Sequence, residues 1–274
     1  MDLFPRCFLL VFGQLAVGGF LALSVPPFHQ IERGFYKSSA AVYLFVALLA
    51  AAGNTALLLQ ATASSTAQWF AAGLWWALVL AATGYLLSLW GERVVLRARA
   101  FVATWMSGLL ALVVSAQLYR RAPMVSVETV LYPLSFIISA LLLGAVTTGM
   151  LLGHWYLIDR HLPLAPFERM LKLFIRVLVA QAGLLLIGPL CLAIAGSAET
   201  GVSLSHLLAD HRLLLGLRLL LGPLASAGLA WMIRETLKVP QTMAATGLFY
   251  IAILAVLVGE FLGRFILFRT ALPL

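Results

Sequence analysis

Eight long apolar segments joined by short connections make up most of this sequence. A helix of about 20 apolar residues is long enough to cross the hydrocarbon core of a bilayer. The sequence therefore predicts an all-α integral membrane protein, an eight-helix transmembrane bundle that forms a single domain over residues 1–274. We place the spans at 7–25, 40–61, 69–90, 100–118, 129–157, 171–195, 213–232 and 242–267.

The composition agrees with this class. Hydrophobic residues make up 63% of the chain and charged residues 10%, whereas about a quarter of the residues of a soluble domain are charged. The formal net charge is +8, which in a membrane protein indicates basic cytoplasmic loops. We therefore expect the protein to be surrounded by membrane lipids and to bind no nucleic acid. We also expect the first segment to be a retained span, because no small-residue cleavage site follows it.

The distribution of basic residues predicts that both termini lie outside. An even number of spans puts both ends of the chain on one side of the membrane. By the positive-inside rule, the side with more lysine and arginine is cytoplasmic. The connections after spans 1, 3, 5 and 7, with the adjoining helix ends, carry Arg33, Lys37, Arg93, Arg97, Arg99, Arg160, Arg169, Lys172, Arg176, Arg234 and Lys238. The other side carries Arg6, Arg120, Arg121, Arg212, Arg218, Arg264 and Arg269.

Few strongly polar residues fall within the predicted spans. The two charged ones, Glu260 and Arg264, lie one helical turn apart in the stretch GEFLGRFILF, close enough to form a pair along the helix. Charges in a bilayer are usually paired or turned into the bundle. The pair is interpreted either as an internal salt bridge or as part of a functional site. The strongly polar residues within the predicted spans are Gln14, Asn54, Gln117, His154, Gln181, Glu260 and Arg264.

Several local patterns bear on packing and on metal binding. The glycines of GGF (18–20), GAVTTG (144–149) and GEFLG (259–263) permit close helix contacts, and Pro223 predicts a local kink. The two cysteines match no metal-ligand spacing, so we expect no metal to be held by this chain. His154 has no histidine partner on another span, which argues against bis-histidine haem ligation.

Two stretches taken together resemble a known family. The sequences VFGQLAVGGFLAL (11–23) and GEFLGRFILF (259–268) look like the membrane-anchor subunits of dimethyl sulfoxide reductase type, within the polysulfide reductase anchor family. The resemblance implies a bacterial cytoplasmic (inner) membrane protein with eight helices and both termini outside. It also implies an iron–sulfur subunit and a molybdopterin catalytic subunit on the outer face, with a quinone nearby. Gln14, Glu260 and Arg264 occupy conspicuous family positions.

The second and third spans depart from the family pattern. Family anchors carry a histidine near the outer end of helix two and an acidic residue at the start of helix three, both linked to the quinol site. Here residues 54–73 read NTALLLQATASSTAQWFAAG, in which Asn54, Gln60 and Gln68 are the polar substitutes. An amide hydrogen-bonds a quinone carbonyl but does not accept a proton at physiological pH. Glu260 is therefore the predicted proton acceptor.

These features favour an electron-transfer anchor that binds ubiquinone or menaquinone near the outer face and exchanges electrons with a partner iron–sulfur subunit. The predicted cofactor-binding residues are Gln14, Arg264, Asn54, Gln60, Gln68 and His154. The alternative is a structural membrane subunit of a larger respiratory or photosynthetic complex, without its own quinone site. A transporter is less favoured because intramembrane polar groups are few. An outer partner would contact the connections 62–68, 119–128 and 196–212. The last two are the more polar, and Glu128 is among their residues expected in a polar rim.

Overall fold

The computed structural model describes residues 3–120, 126–159 and 161–273, and this part of the chain is helical with no strand. Arg121 and Arg160, which entered the charge comparison, lie outside the described residues. The elements in chain order are α1 (Leu3–Ala22), α2 (Arg33–Gln60), α3 (Thr66–Ser88), α4 (Val94–Leu118), α5 (Glu128–Ile158), α6 (Ala165–Ala195), α7 (Ala198–Asp210), α8 (Arg212–Leu219), a π-helical turn (Leu220–Leu224), α9 (Ala225–Lys238) and α10 (Thr242–Thr270).

The predicted all-α transmembrane bundle is confirmed. Eight helical segments of the described chain are long and apolar enough to cross a membrane, and each overlaps one predicted span. The seventh span is composite, since α8, the π-helical turn and α9 follow one another without a break. α5 and α6 have 31 residues each, about 46 Å at 1.5 Å per residue. Their ends therefore extend beyond the roughly 30 Å hydrocarbon core.

Glycines allow α1 to lie directly against α5 in the centre of the bundle. A Cβ atom on Gly18 would stand 1.6 Å from the carbonyl oxygen of Ala140, and one on Gly144 would stand 2.0 Å from the Gly18 backbone. Neither position has room for a side chain, so the two backbones touch. The close helix contact predicted from these glycine patterns is present.

The beginning of α1 and the end of α10 lie side by side. Phe4 packs against Phe265 with ring centroids 6.3 Å apart, and Phe8 packs against Phe261 at 4.5 Å. We call this the terminal end of the bundle. The opposite end, where α1 ends and α2 begins, is the loop end. The assignment of the terminal end to the outer face stays a prediction from the charge distribution and the family resemblance.

A helix that the sequence did not predict, α7, lies in the 196–212 connection. Ser197 caps it by accepting a hydrogen bond from the Thr200 amide at 3.3 Å. The Glu128 carboxylate accepts one bond from the Ser197 amide at 2.7 Å and another from the Thr200 hydroxyl at 2.9 Å. Glu128 is fully buried, so its predicted place in an exposed polar rim is wrong. Its charge instead satisfies the first turn of α7.

Candidate functional site

The seventh and eighth spans are in close contact beside a group of buried polar side chains. A Cβ atom on Gly259 of α10 would lie 2.6 Å from the Cα atom of Gly222 in the π-helical turn. Pro223 follows directly; because it has no N–H to donate, an ordinary α-helical turn is disfavoured there. The predicted kink at Pro223 thus takes the form of a π-helical turn. This turn brings Arg218, one turn earlier, against Glu260.

Glu260 is the centre of a buried polar cluster. Arg218 Nη2 donates to Glu260 Oε1 at 2.8 Å, and Gln181 Nε2 donates to the same oxygen at 3.2 Å. Arg264 Nη2 lies 3.5 Å from Glu260 Oε2 and 2.6 Å from the hydroxyl of Ser139. These five residues, from α5, α6, α8 and α10, form what we call the Glu260 cluster. Each is at most 2% exposed.

Gln14 reaches this cluster through Phe136. Its Nε2 donates to the Phe136 carbonyl at 3.2 Å, and the Arg264 guanidinium lies 4.7 Å from the centroid of the Phe136 ring. A cation over an aromatic face is stabilised by the ring quadrupole. The three residues that the family resemblance marks, Gln14, Glu260 and Arg264, therefore lie in one region of the bundle.

The Glu260 cluster contains two arginines for one carboxylate. Arg218 is 1% exposed and makes the shorter ion pair with Glu260, whereas Arg264 makes the longer one. Arg218 was counted among the charges of the outer side, and the structure shows it buried in the bundle and paired with Glu260. A signal was available, since Arg218 stands in the middle of the apolar run LLLGLRLLLG (213–222). Arg218 thus lies five residues inside the predicted span 213–232, and a charge within a span is usually paired or turned into the bundle.

A cavity of about 250 Å³ opens at the terminal end of the first four helices, and we call it the terminal pocket. It brings together two predicted site residues, Asn54 and Gln68. Gln60 is exposed at the end of α2 and does not line it. The lining residues are Arg6, Asn54, Leu57, Leu58, Ala61, Ala63, Gln68, Ala71, Ala72, Trp75, Ser115, Leu118 and Tyr119.

The amides of the terminal pocket already have backbone partners. Asn54 Nδ2 donates to the Ala50 carbonyl at 2.7 Å. Gln68 Oε1 accepts from the Ser65 amide at 2.8 Å, and together they form the capping box that begins α3. A capping box fixes both side chains at the helix start. The polar substitutes noted in the sequence thus have local structural roles beside any role toward a ligand.

Two further polar groups of the terminal pocket come from helix ends. Arg6 lies in the first turns of α1, and Tyr119 directly follows α4. Burial raises the pKa of the Tyr119 phenol to about 12, although the nearby Arg6 acts in the opposite direction. The phenol is therefore protonated at neutral pH and can donate a hydrogen bond. The Tyr119 ring also lies 5.9 Å from the Phe136 ring, which separates the pocket from the Glu260 cluster.

His154 is remote from the other predicted site residues. It is exposed at the loop end, near the end of α5, where its Nδ1 lies 3.4 Å from the hydroxyl of Tyr250. The structure therefore does not bring His154 together with Gln14, Glu260 or Asn54. Among the described residues, no group of histidine, cysteine, aspartate and glutamate side chains is arranged to hold a metal ion.

No protein family, no characterised protein and no solved structure matches this chain. The resemblance to the dimethyl sulfoxide reductase anchors thus rests on the two stretches 11–23 and 259–268 alone.

Proposed function

We propose that this chain is the membrane-anchor subunit of an oxidoreductase complex in a bacterial inner membrane, and that it binds a quinone headgroup in the terminal pocket. The terminal pocket is the observation that carries the proposal, because it combines apolar walls with a few polar groups, as small-molecule sites commonly do. An iron–sulfur subunit, with a molybdopterin catalytic subunit behind it, would dock on the same end and exchange electrons there. The family resemblance supplies these partners.

The residues of the terminal pocket fit a quinone headgroup. Its ring is flat and apolar, and Leu57, Leu58 and the Trp75 indole offer apolar surface. Its carbonyl oxygens accept hydrogen bonds, and the Arg6 guanidinium and the Tyr119 phenol are donors. A bound quinone would supply two-electron redox chemistry coupled to protons. The role we assign to Arg6 and Tyr119 is to orient the headgroup by hydrogen bonds.

In this proposal the proton-accepting role predicted for Glu260 is replaced by a structural one. Glu260 is fully buried, and both of its carboxylate oxygens contact arginines. It does not line the terminal pocket, whose described lining contains no carboxylate. Glu260 and its two arginines hold the last two spans together.

Quinone binding is tested by tryptophan fluorescence of the purified full chain in nanodiscs, titrated with a short-chain quinone. Quenching should saturate, and Trp75→Phe should remove the largest single contribution because Trp75 lines the pocket. Tyr119→Phe should weaken binding about tenfold, the value of one buried hydrogen bond of roughly 1.4 kcal/mol. The matched control is Tyr250→Phe, which removes an exposed phenol at the loop end and should leave the affinity unchanged.

A pocket-filling variant makes the test independent of hydrogen bonding. Leu58→Trp places a larger side chain in the terminal pocket and should abolish saturable quenching. Wild-type affinity in both Leu58→Trp and Tyr119→Phe would refute quinone binding at this site. Co-purification with an iron–sulfur protein from the native host tests the partner, and co-purification with transport proteins alone would argue against an oxidoreductase complex.

The second function is a structural membrane subunit without its own quinone site. The burial of the Glu260 cluster favours it. The residues that the family resemblance marks, Gln14, Glu260 and Arg264, are each 0% exposed, so they contact other helices and have no room for a ligand. In that case the assembled complex would transfer electrons normally in both Tyr119→Phe and Leu58→Trp. The same two variants therefore separate the two functions.

A further inference from the structure

A second cavity, of about 350 Å³, lies at the loop end between the chain after α1 and the adjoining turns of α2, α3 and α4. Much of its wall is aromatic. Phe28 packs on Tyr36 with centroids 4.5 Å apart, and Tyr85 packs on Phe101 at 4.9 Å. We call it the loop-end pocket. It shares no residue with the terminal pocket and does not depend on the proposed quinone site.

The one charged side chain of the loop-end pocket's described lining is that of Arg97. It was counted among the cytoplasmic loop charges, yet only 8% of the residue is exposed. Its guanidinium lies 4.3 Å from the centroid of Phe28, and its Nη1 has no hydrogen-bond partner. No described carboxylate forms an ion pair with it. A buried cation without a counter-charge is costly, so this site favours binding of an anion.

The shape and chemistry of the loop-end pocket restrict the kind of anion. A guanidinium binds phosphate by two parallel hydrogen bonds. A small inorganic ion would satisfy Arg97 but would leave the apolar and aromatic walls uncovered. Val94 and Ala98, both exposed on α4, flank Arg97 in the lining and give an apolar surface at the mouth. The pocket therefore suits an amphiphile that joins a phosphate to a hydrocarbon chain.

The surroundings favour a lipid of the membrane itself. Arg93 and Arg99 are exposed beside Arg97 at the start of α4, and basic residues near a membrane surface attract anionic headgroups. We propose that the loop-end pocket binds an anionic phospholipid. The N–H edge of the Arg97 guanidinium binds the lipid phosphate, Phe28 packs on a face of the guanidinium, and an acyl chain lies along Val94 and Ala98.

Native mass spectrometry of the delipidated full chain, supplied with equal amounts of phosphatidylglycerol and phosphatidylcholine, tests this proposal. The wild type should retain phosphatidylglycerol preferentially. Arg97→Gln should reduce that preference about tenfold, because both lipids carry a phosphate but only phosphatidylglycerol, which lacks a choline cation, brings a net negative charge to Arg97. Arg99→Gln is the matched control, since it removes an exposed arginine two positions away. It should keep most of the preference.

A second variant covers the case in which Arg97→Gln fails to fold. Ala98→Phe keeps the arginine and fills the mouth of the pocket from an exposed position, so it should also abolish the preference. Equal loss in Arg99→Gln would show general surface attraction and overturn the site. Retention of the preference in Arg97→Gln or Ala98→Phe would overturn it too. Displacement of the lipid by millimolar inorganic phosphate would show a free-anion site instead.

Discussion

Replacing Glu260 should destabilise the protein more than replacing either of its arginines. Glu260→Gln keeps the shape of the side chain but removes the negative charge that lies between Arg218 and Arg264, which are 1% and 0% exposed. Breaking a buried ion pair by removing one partner typically lowers stability by about 3–5 kcal/mol. Because two buried cations lose their partner here, we expect a loss of at least ~4 kcal/mol.

The arginine variant provides the comparison within the Glu260 cluster. Arg218→Met removes the 2.8 Å ion pair but leaves Glu260 paired with Arg264. The two remaining charges cancel, so no net charge is left buried. The lost charge-assisted hydrogen bond is worth about 1.5–3 kcal/mol, and the desolvation of one charge is no longer required. Arg218→Met should therefore be milder than Glu260→Gln by roughly 2 kcal/mol.

Removing all three charges should largely restore stability. With Glu260→Leu, Arg218→Met and Arg264→Met combined, no buried charge remains, and such replacements are often neutral or stabilising. Replacing Glu260 and Arg264 alone is not equivalent, because it leaves Arg218 buried and unpaired. The structure thus adds a third position to the pair that is evident in the sequence.

Unfolding in mixed micelles by increasing sodium dodecyl sulfate, followed by tryptophan fluorescence, measures these differences. Glu235→Gln is the control. It breaks the Glu235–Lys238 pair on the same composite span, whose side chains are 41% and 58% exposed, and should change stability by less than about 1 kcal/mol. A loss in Arg218→Met equal to or greater than that in Glu260→Gln would refute the reasoning from net buried charge.

Three further predictions concern packing and topology. Gly144→Val should lower the free energy of unfolding by about 3 kcal/mol or prevent folding, because even its Cβ atom would lie 2.0 Å from the Gly18 backbone; the same unfolding titration measures it. Glu128→Leu should speed hydrogen exchange at the first amides of α7, since it removes two hydrogen bonds from the start of that helix. Single cysteines in the 91–99 connection should resist labelling by an impermeant reagent from outside intact cells, and labelling there would reverse the predicted orientation.

The spans could be predicted because their signal is local. A run of about 20 apolar residues is compatible with few structures other than a membrane helix, and all eight runs are helical. α7 was missed because it has 13 residues with mixed polarity, too short and too polar to register as a span. Its start depends on Glu128, which is 69 positions away from Ser197. Local sequence patterns do not predict contacts between residues so far apart in the chain.

The candidate site was predictable only in part. The pairing of Glu260 with Arg264 follows from their four-residue spacing on one helix. The closer partner, Arg218, depends on the direction of a long side chain, which sequence position does not fix. The contact of Gly222 with Gly259 decides that direction. Asn54 and Gln68 share a pocket because α2 and α3 are consecutive antiparallel helices, whereas Arg6 and Tyr119 join them through the packing of α1 and α4.

The π-helical turn at Leu220–Leu224 also sets the rotational phase of the seventh span. Ser226 follows Arg218 by eight positions, and both are buried. In an uninterrupted α-helix of about 3.6 residues per turn, eight positions would place them about 80° apart around the axis. The wider turn absorbs most of this offset. The seventh span therefore behaves as an α-helix that carries one extra residue, and this extra residue lets Arg218 and Ser226 share one buried face.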